Sequence, residues 1–413
     1  MSTNTDVRLL FATRIVRMFS YGLLAVILAL YLSEAGLSDS EIGLLLTLTL
    51  LGDTLISLWI TTRADRIGRK RMLLIGAILM IFAGILFAVT RNFTLLLFAA
   101  TIGVISPSGN EVGPFLAIEQ SALAQTLPGA RRTQVFAWYQ LAGSLATALG
   151  SLVGGGLAQI LQLGGTTPLS SYRVVIFIYA VLGLILVLMF NFVSPLVEVP
   201  FSENEKKKVN LLGLGRSSKT ILRLAALFSV DAFAGGFVVQ SIMAYWFHLR
   251  YGVNPATLGA IFFGANIFAG ISALSAAWIA SKVGLLNTMV WTHVPSNILL
   301  ILVPLMPNLP LAITMLLIRF SISQMDVPTR QSYTLSVVSP EERSSAAGVT
   351  GIARTLGASM APLFSAPLVG IPSLAAAPFI IAGVLKLVYD FSLYRSFKSI
   401  KPHEEHATEE PGA

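Results

Sequence analysis

The segment RADRIGRKRML, residues 63–73, lies between two apolar stretches of the chain. The stretch before it covers about residues 41–62, and the one after it covers about residues 72–90. A helix that spans a bilayer needs about 20 predominantly apolar residues, so each stretch is long enough to cross a membrane. Five of the eleven residues in the segment are Arg or Lys, which is typical of a cytoplasmic loop. The segment therefore predicts two membrane helices joined by a cytoplasmic turn.

Similar apolar stretches continue along the chain, which has 413 residues, 55% of them hydrophobic and only 12% charged. Soluble proteins carry about 25% charged residues, so this composition excludes a soluble enzyme, a disordered protein and a nucleic-acid binder. Lipid admits only helices or closed barrels, and these stretches lack the strict alternation of barrel strands. We therefore predict an all-α membrane protein with about 12 transmembrane helices. The other spans are at about residues 9–32, 93–124, 133–163, 172–194, 219–248, 255–281, 285–306, 309–338, 344–370 and 372–395.

The loops differ sharply in their basic charge. With the N-terminus placed inside, nineteen Lys and Arg residues lie in cytoplasmic segments, and only Arg91, Arg173 and Arg250 lie outside. Cytoplasmic loops of membrane proteins carry the excess of Lys and Arg. We therefore expect a multi-pass protein of the cell (inner) membrane with both termini in the cytoplasm.

A polar stretch near the middle divides the chain into two nearly equal halves. Its three consecutive lysines at 206–208 are typical of a linker that lies beside anionic lipid. We predict an N-terminal six-helix bundle at residues 1–194, a cytoplasmic linker at 195–217, a C-terminal six-helix bundle at 218–398 and a disordered cytoplasmic tail at 399–413.

The two halves also match each other at a nearly constant spacing. Residues 36–43 correspond to residues 252–259, and residues 64–68 correspond to residues 280–284, both at a shift of 216. A proline in the fourth span corresponds to one in the tenth at a shift of 214. Several matches in order indicate a duplicated six-helix unit. Parallel repeats of this kind place a transport site near the bilayer midplane.

The second-to-third loop carries a recognisable motif. Residues 65–70 contain the complete pattern D-[RK]-x-G-R-[RK], which resembles the signature loop of the major facilitator superfamily. Thr61 and Arg63 replace the leading Gly and Leu of that signature. The resemblance covers nearly the whole chain and is closest in style to the drug–proton antiporter branch. It implies the fold of that superfamily, with two six-helix pseudo-symmetric bundles, and the activity of a secondary transporter.

The resemblance also implies a gating role for this loop. In the family, its carboxylate faces the start of the eleventh helix and pairs with an arginine, which locks one conformation. Here the carboxylate is Asp65, and Arg69 follows four residues later, within reach on a helix. The predicted gating residues are Asp65, Gly68, Arg69, Arg132 and Arg343. Alternatively, these charges only keep the loop in the cytoplasm.

A second motif in the fifth span is partial. Residues 150–155 read GSLVGG and resemble the G-P-x-x-G-G pattern of the drug–proton antiporter branch, with Ser151 in place of the proline. The match favours antiport. The alternative interpretation is that small residues here let two membrane helices pack closely.

Ionisable groups inside spans are costly in lipid, which makes them functional candidates. In the tenth span, Arg319, Asp326 and Arg330 share one helical face, and the last two can form an intrahelical pair. The resemblance places the first, fourth, seventh and tenth helices around the central cavity. The proton-coupling candidates are Glu111, Glu119, Asp231 and Asp326. The substrate-cavity candidates are Arg14, Arg17, Tyr21, Asn110, Gln240, Arg319, Gln324, Arg330 and Arg354.

These charges leave two interpretations open. A carboxylate whose hydration changes with conformation also changes its pKa, which is what proton coupling requires. Alternatively, the acids and arginines form a static network of salt bridges. His293 is alone in an apolar span, and we predict that it is packed and hydrogen-bonded rather than a metal ligand. No metal and no cofactor are expected, because the chain has no cysteine and no pair of histidines at metal-site spacing.

The sequence therefore predicts a proton-coupled secondary transporter that moves a small organic solute by alternating access, with a preference for efflux. The alternative is proton-coupled uptake of a polar or anionic metabolite, and a different class is a non-transporting sensor on the same fold. An enzyme is not expected, because the chain lacks a nucleophile elbow and a His-Glu-x-x-His motif. The expected partners are a small-molecule substrate, protons and the lipid bilayer, with no nucleic acid, and the protein is expected to be a monomer.

Overall fold

A computed structural model describes residues 3–126, 129–194, 198, 217–339 and 342–399 of the chain. These residues form sixteen α-helices, and no strand occurs among them. Most of the predicted linker at 195–217 and of the predicted tail at 399–413 lies outside the described residues.

The helices follow one another with short connections. The first half contains α1 (Thr3–Glu34), α2 (Asp39–Ile67), α3 (Arg69–Val89), α4 (Phe93–Ile102), α5 (Phe115–Thr126), α6 (Gly129–Leu163) and α7 (Pro168–Asn191). The second half contains α8 (Ser218–Gly236), α9 (Gln240–Tyr251), α10 (Pro255–Val283), α11 (Leu285–Leu302), α12 (Leu309–Ser323), α13 (Asp326–Ser336), α14 (Arg343–Met360), α15 (Pro362–Gly370) and α16 (Ala377–Phe397).

Eleven helical segments of the described chain are long and apolar enough to cross a membrane. The predicted fourth span at 93–124 differs, because it is not continuous. It consists of the 10-residue α4 and the 12-residue α5, separated by the non-helical residues 103–114. Three glycines and two prolines within this short stretch disfavour a helix there. The predicted all-α membrane class with about twelve spans is confirmed, whereas the continuous fourth span is wrong.

Local sequence explains where several helices begin and end. Ser38 caps α2 with a capping box, in which its backbone N–H donates to Glu41 Oε2 at 2.8 Å and its hydroxyl oxygen accepts from the Glu41 N–H. Such a box satisfies N–H groups that have no partner within the helix. Gly68 separates α2 from α3 with a φ of 114°, which side chains other than glycine rarely adopt.

The chain forms two compact units. The first takes its residues from Met1–Asn204, Val239–Ile267 and Pro362–Ala375, and the second from Glu205–Val238, Phe268–Ala361 and Ala376–Ala413. In the first unit, parts of the second half of the sequence pack against the first half. Tyr245 on α9, for example, donates to Asp39 Oδ1 on α2 at 2.9 Å.

The glycines of α6 allow α1 to pack directly against its backbone. A Cβ atom at Gly150 would lie 2.0 Å from the carbonyl oxygen of Phe19, and one at Gly154 would lie 2.4 Å from that of Leu23. In return, a Cβ at Gly22 on α1 would lie 2.1 Å from the carbonyl oxygen of Thr147. The GSLVGG pattern therefore serves close helix packing in this structure.

Replacing Gly150 with Ala is expected to lower the free energy of unfolding by about 1–3 kcal/mol or more, the typical cost of overpacking. The reason is that α1 and α6 must move apart to make room for the added methyl group. Gly156 on the same helix is the matched control, since a Cβ there meets nothing within 4 Å. Thermal unfolding of the two purified variants in detergent measures the difference. A Gly150→Ala variant as stable as Gly156→Ala would contradict the close packing.

The second unit repeats this arrangement between α8 and α14. A Cβ at Gly357 would lie 2.4 Å from the carbonyl oxygen of Ser229, and one at Gly236 would lie 2.4 Å from that of Ala358. The seventh and eleventh spans therefore pack as the first and fifth do, which supports the internal repeat. Phe228, which precedes Ser229 on α8, belongs with Tyr333 and Tyr389 to a core built from α8, α11, α13, α14 and α16.

Candidate functional site: two buried ion clusters

Two arginines on α1 form the centre of an ion cluster in the first unit. Arg14 and Arg17 are three residues apart, so they share one face of the helix, and their side chains are 1% and 0% exposed. Arg14 Nη1 lies 2.6 Å from Glu111 Oε2, and Arg17 Nε lies 2.7 Å from Glu111 Oε1. One carboxylate therefore bridges both guanidinium groups.

Glu119 on α5 is the second acid of this cluster and is completely buried. Arg17 donates to both of its oxygens, from Nη1 at 2.9 Å and from Nη2 at 2.7 Å. Such paired, charge-assisted bonds are among the stronger hydrogen bonds in proteins. The Thr13 hydroxyl donates to Oε1 at 2.9 Å, and the Tyr139 hydroxyl donates to Oε2. This carboxylate is thus held by three side chains.

The remaining donors of Arg14 are also used. Its Nε donates to the carbonyl oxygen of Tyr139 at 2.9 Å, and its Nη2 donates to Gln140 Oε1 at 2.8 Å. With two arginines and two glutamates, the first cluster is neutral. Each nitrogen of both guanidinium groups has an acceptor, so this cluster holds no unused positive charge.

Glu111 reaches the arginines because it lies in the non-helical segment at 103–114. Side chains of other helices replace the helical hydrogen bonds that this segment lacks. Asp53 Oδ1 accepts from the Gly113 N–H at 2.7 Å, and the Tyr21 hydroxyl donates to the Val112 carbonyl oxygen at 3.1 Å. The hydroxyls of Tyr179 and Thr147 also donate, to Val104 O and Gly109 O, and Ser106 within the segment donates to Asn110 O. The segment is therefore an ordered interruption of the fourth span.

In the second unit, Asp231 on α8 is the centre of another cluster. Its Oδ1 lies 2.6 Å from Lys386 Nζ, and its Oδ2 lies 2.8 Å from Arg354 Nη1 and 3.5 Å from Arg330 Nη1. The carboxylate itself is only 3% exposed. Three cations from α13, α14 and α16 thus converge on one acid.

The intrahelical pair expected in the tenth span is present, since Arg330 Nη1 donates to Asp326 Oδ2. The helix is interrupted just before this pair, where α12 ends at Ser323 and α13 begins at Asp326. Pro328 lies in the first turn of α13, where a missing N–H costs little. The break lets one carboxylate sit at the N-terminal end of α13, which favours negative charge.

Sequence reasoning missed two members of the second cluster, Lys386 and Asp390 on α16. Asp390 Oδ1 lies 2.8 Å from His293 Nδ1, and its Oδ2 accepts from Asn297 Nδ2 at 2.8 Å. His293 is packed and hydrogen-bonded as predicted. The rule that charges within spans are functional candidates applies equally to the twelfth span and would have identified both residues.

The other substrate-cavity candidates lie in different surroundings. Gln240 is in the first unit, where its Nε2 donates to Ser151 Oγ at 3.2 Å and its Oε1 accepts from Asn266 Nδ2 at 3.2 Å. Asn110 is exposed in the broken fourth span. In the second unit, the Gln324 N–H donates to Ser272 Oγ at 3.1 Å. None of these three is an ion-cluster ligand.

The gating residues are only partly described, because the side chains of Asp65 and Arg132 lie outside the described residues. Next to Gly68, the backbone N–H groups of Arg69 and Lys70 donate to Glu198 Oε2 at 2.6 Å and Oε1 at 3.1 Å. A carboxylate at the first turn of a helix is favourable, and sequence reasoning did not single out this acid. Arg343 Nε donates to the Leu335 carbonyl oxygen at 3.1 Å.

Comparison with known proteins identifies the family. Residues 10–362 match the family described as Major Facilitator Superfamily. The uncharacterized membrane protein YJR124C of Saccharomyces cerevisiae is 30% identical over 425 residues, which cover 96% of this chain and 94% of that protein. The quinolone resistance protein NorA of Staphylococcus aureus is 30% identical over 139 residues, which cover 34% of each chain.

Among solved structures, a mutant of the nucleoside transporter NupG has a TM-score of 0.76 at 14% identity, covering 95% of this chain and 100% of that chain. At this identity the likeness concerns the fold alone, and the predicted fold class is confirmed by it. With the family match across most of its length, the chain belongs to the major facilitator superfamily and is a multi-pass membrane transporter.

Proposed function

We propose that this transporter moves a small organic solute by alternating access and couples the movement to protons. The observation that carries the proposal is the position of Glu111. This carboxylate bridges two buried arginines and is itself 13% exposed. It lies in the interrupted part of a membrane span. Interrupted helices at membrane depth commonly form transport sites.

The geometry suggests how protonation would act. When Glu111 takes up a proton, Arg14 and Arg17 lose their shared counter-charge, and only Glu119 remains to balance them. Arg14 and Arg17 therefore compete with the proton for the Glu111 carboxylate. This competition links the protonation of Glu111 to the position of α1 relative to residues 103–114. Asp326 stands in a similar relation to Arg330 in the second unit. We assign proton coupling to these two acids.

For the direction of transport, we favour efflux. The partial similarity to NorA, whose name is that of a quinolone resistance protein, supports this direction over a third of the chain. The alternative is proton-coupled uptake of a polar or anionic metabolite, which is favoured by the number of cations around Asp231.

We expect Glu111→Gln and Asp326→Asn each to abolish solute-dependent proton flux, because neither amide can release or accept the coupling proton. The measurement uses full-length protein in liposomes with an internal pH dye and an imposed proton gradient. Solute exchange without a gradient is recorded in parallel, and it is expected to persist in both variants because exchange does not require net proton movement.

Glu34→Gln is the matched control, since Glu34 is an exposed acid at the end of α1 and its amide should keep the coupled flux. If the proton gradient still drives solute accumulation in both test variants as it does in the wild type, these two acids do not carry the coupling proton.

The same assay includes Asp65→Asn. An unchanged transport rate in that variant would argue against a gating role for Asp65, Gly68, Arg69, Arg132 and Arg343.

We further propose that the protein functions as a monomer in the cell (inner) membrane with both termini in the cytoplasm. The excess of Lys and Arg in the predicted cytoplasmic segments supports this orientation. The internal repeat supports the division into bundles at residues 1–194 and 218–398, joined by the basic segment at 195–217. Labelling of single cysteines added at either terminus in intact cells tests the orientation, since the natural chain has no cysteine.

A further inference from the structure

The ion cluster of the second unit carries more positive than negative groups. Within the described residues, its basic side chains are Arg319, Arg330, Arg354 and Lys386, and its acids are Asp231, Asp326 and Asp390. Four cations thus face three carboxylates even when His293 is neutral. The first unit differs, because its two arginines are balanced by two glutamates.

Two of the four cations, Lys386 and Arg330, are buried and lie against carboxylate oxygens of the cluster. Lys386 Nζ lies 2.6 Å from Asp231 Oδ1 and also faces the Asp231 carbonyl oxygen at 3.4 Å. Arg330 pairs with Asp326 and approaches Asp231. The third acid, Asp390, directs its two oxygens at a histidine and an asparagine and pairs directly with no arginine of this cluster in the described chain.

Arg319 and Arg354 differ from these two cations, because Arg319 has a buried donor without a partner among the described residues and Arg354 is partly exposed. Arg319 is only 8% exposed, and its buried Nε has no hydrogen-bond partner within the described part of the chain. It lies over the ring of Phe320 at 4.9 Å and interacts electrostatically with Asp231 and Asp326. Arg354 donates to Asp231 from Nη1, and its side chain is 30% exposed, which leaves its other donors accessible to a ligand. Arg354 thus contacts Asp231 directly, and Arg319 is close enough to the same carboxylate to interact with it electrostatically.

A buried positive charge without a full partner is unfavourable, particularly at membrane depth. In the first unit, each guanidinium nitrogen has an acceptor and the acids balance the arginines, which avoids this energetic penalty. In the second unit, a bound anion would supply the missing acceptor and negative charge. A guanidinium group presents a planar fork of donors that matches a carboxylate. A single surplus charge also fits a monoanion better than a dianionic phosphate.

We propose that Arg319 and Arg354 bind the carboxylate of a small organic monoanion, which is the transported solute. This inference rests on the proposed transport function and specifies its substrate class. The anion occupies the free donors of Arg319 and the exposed donors of Arg354, and Lys386 and Arg330 remain paired with Asp231 and Asp326.

The test measures thermal unfolding of the full-length protein in detergent with acetate, lactate or benzoate at constant pH and ionic strength. The corresponding amides serve as neutral controls of nearly the same shape. At least one carboxylate is expected to raise the melting temperature more than its amide does. Arg319→Gln and Arg354→Gln are each expected to increase its half-saturating concentration by about tenfold or more, because each removes charge-assisted hydrogen bonds.

Arg223→Gln is the matched control, because Arg223 is an exposed arginine on α8 of the same unit. That variant should respond to the carboxylate as the wild type does. The inference is overturned if no carboxylate protects better than its amide, or if both site variants respond unchanged.

The outcomes also separate this inference from the proposed function. Carboxylate protection that depends on Arg319, without solute-dependent proton flux, supports the anion site and contradicts proton-coupled transport. Coupled flux with neutral or cationic solutes, without protection by any carboxylate, supports the proposed function and overturns the anion site.

Discussion

Replacing Asp231 with Asn is expected to destabilise the protein by about 3–5 kcal/mol, the cost of removing one partner of a buried ion pair. The carboxylate is 3% exposed and faces Lys386, Arg354 and Arg330 at 2.6, 2.8 and 3.5 Å. Its amide would leave three cations around a neutral group. Chemical or thermal unfolding of the purified variant in detergent measures the loss.

A second substitution distinguishes this electrostatic cause from a packing defect. Lys386→Met removes one of the three cations at similar size. In the Asp231→Asn background it should restore part of the lost stability, because fewer buried charges remain unpaired. Asp231→Asn with wild-type stability, or a double variant less stable than the single one, would contradict the central role of this acid.

The second large effect is expected for Arg17→Met, again about 3–5 kcal/mol. Arg17 holds both oxygens of Glu119 and one oxygen of Glu111, and its side chain is fully buried. Methionine is of comparable length but leaves two glutamates with only Arg14 to balance them. The free energy of unfolding in detergent is again the measurement.

Glu119→Gln provides the compensating change for this variant. The double variant Arg17→Met with Glu119→Gln should be more stable than Arg17→Met alone, because the fully buried carboxylate is then neutral. An Arg17→Met variant with unaltered stability would show that the bidentate pair contributes little.

Several features of the fold could be predicted from the sequence because they depend on local composition. The spans follow from the length of apolar runs, and the basic loop at 63–73 marks both the turn after α2 and the family. The pair formed by Asp326 and Arg330 follows from a spacing of four residues on a helix. Such features need no knowledge of how distant helices meet.

The partners within the clusters depend on contacts between distant residues. Arg17 meets Glu111 across 94 residues, and Lys386 meets Asp231 across 155. Spacing along one helix does not determine which acid faces which base. A lysine in a span can also extend to the membrane surface, so only the packing of α16 on α8 shows that Lys386 turns toward Asp231.

The interruption of the fourth span illustrates a conflict between two local signals. Hydropathy favours one helix over residues 93–124, whereas the glycines and prolines within 103–114 favour a break. The break prevails because Asp53 and Tyr21, on two other helices, bond the backbone groups that it leaves free. These bonds place Glu111 beside the arginines of α1, which hydropathy alone does not indicate.

Proton coupling is tested most directly with the wild-type protein in liposomes that contain a pH dye. A panel of cationic drugs and organic anions is added under an imposed proton gradient. We predict proton flux that depends on at least one solute, and the direction of the dye change separates antiport from symport. Binding of a solute without any solute-dependent proton flux across the panel would contradict the proposed coupling and would favour a uniporter or a sensor.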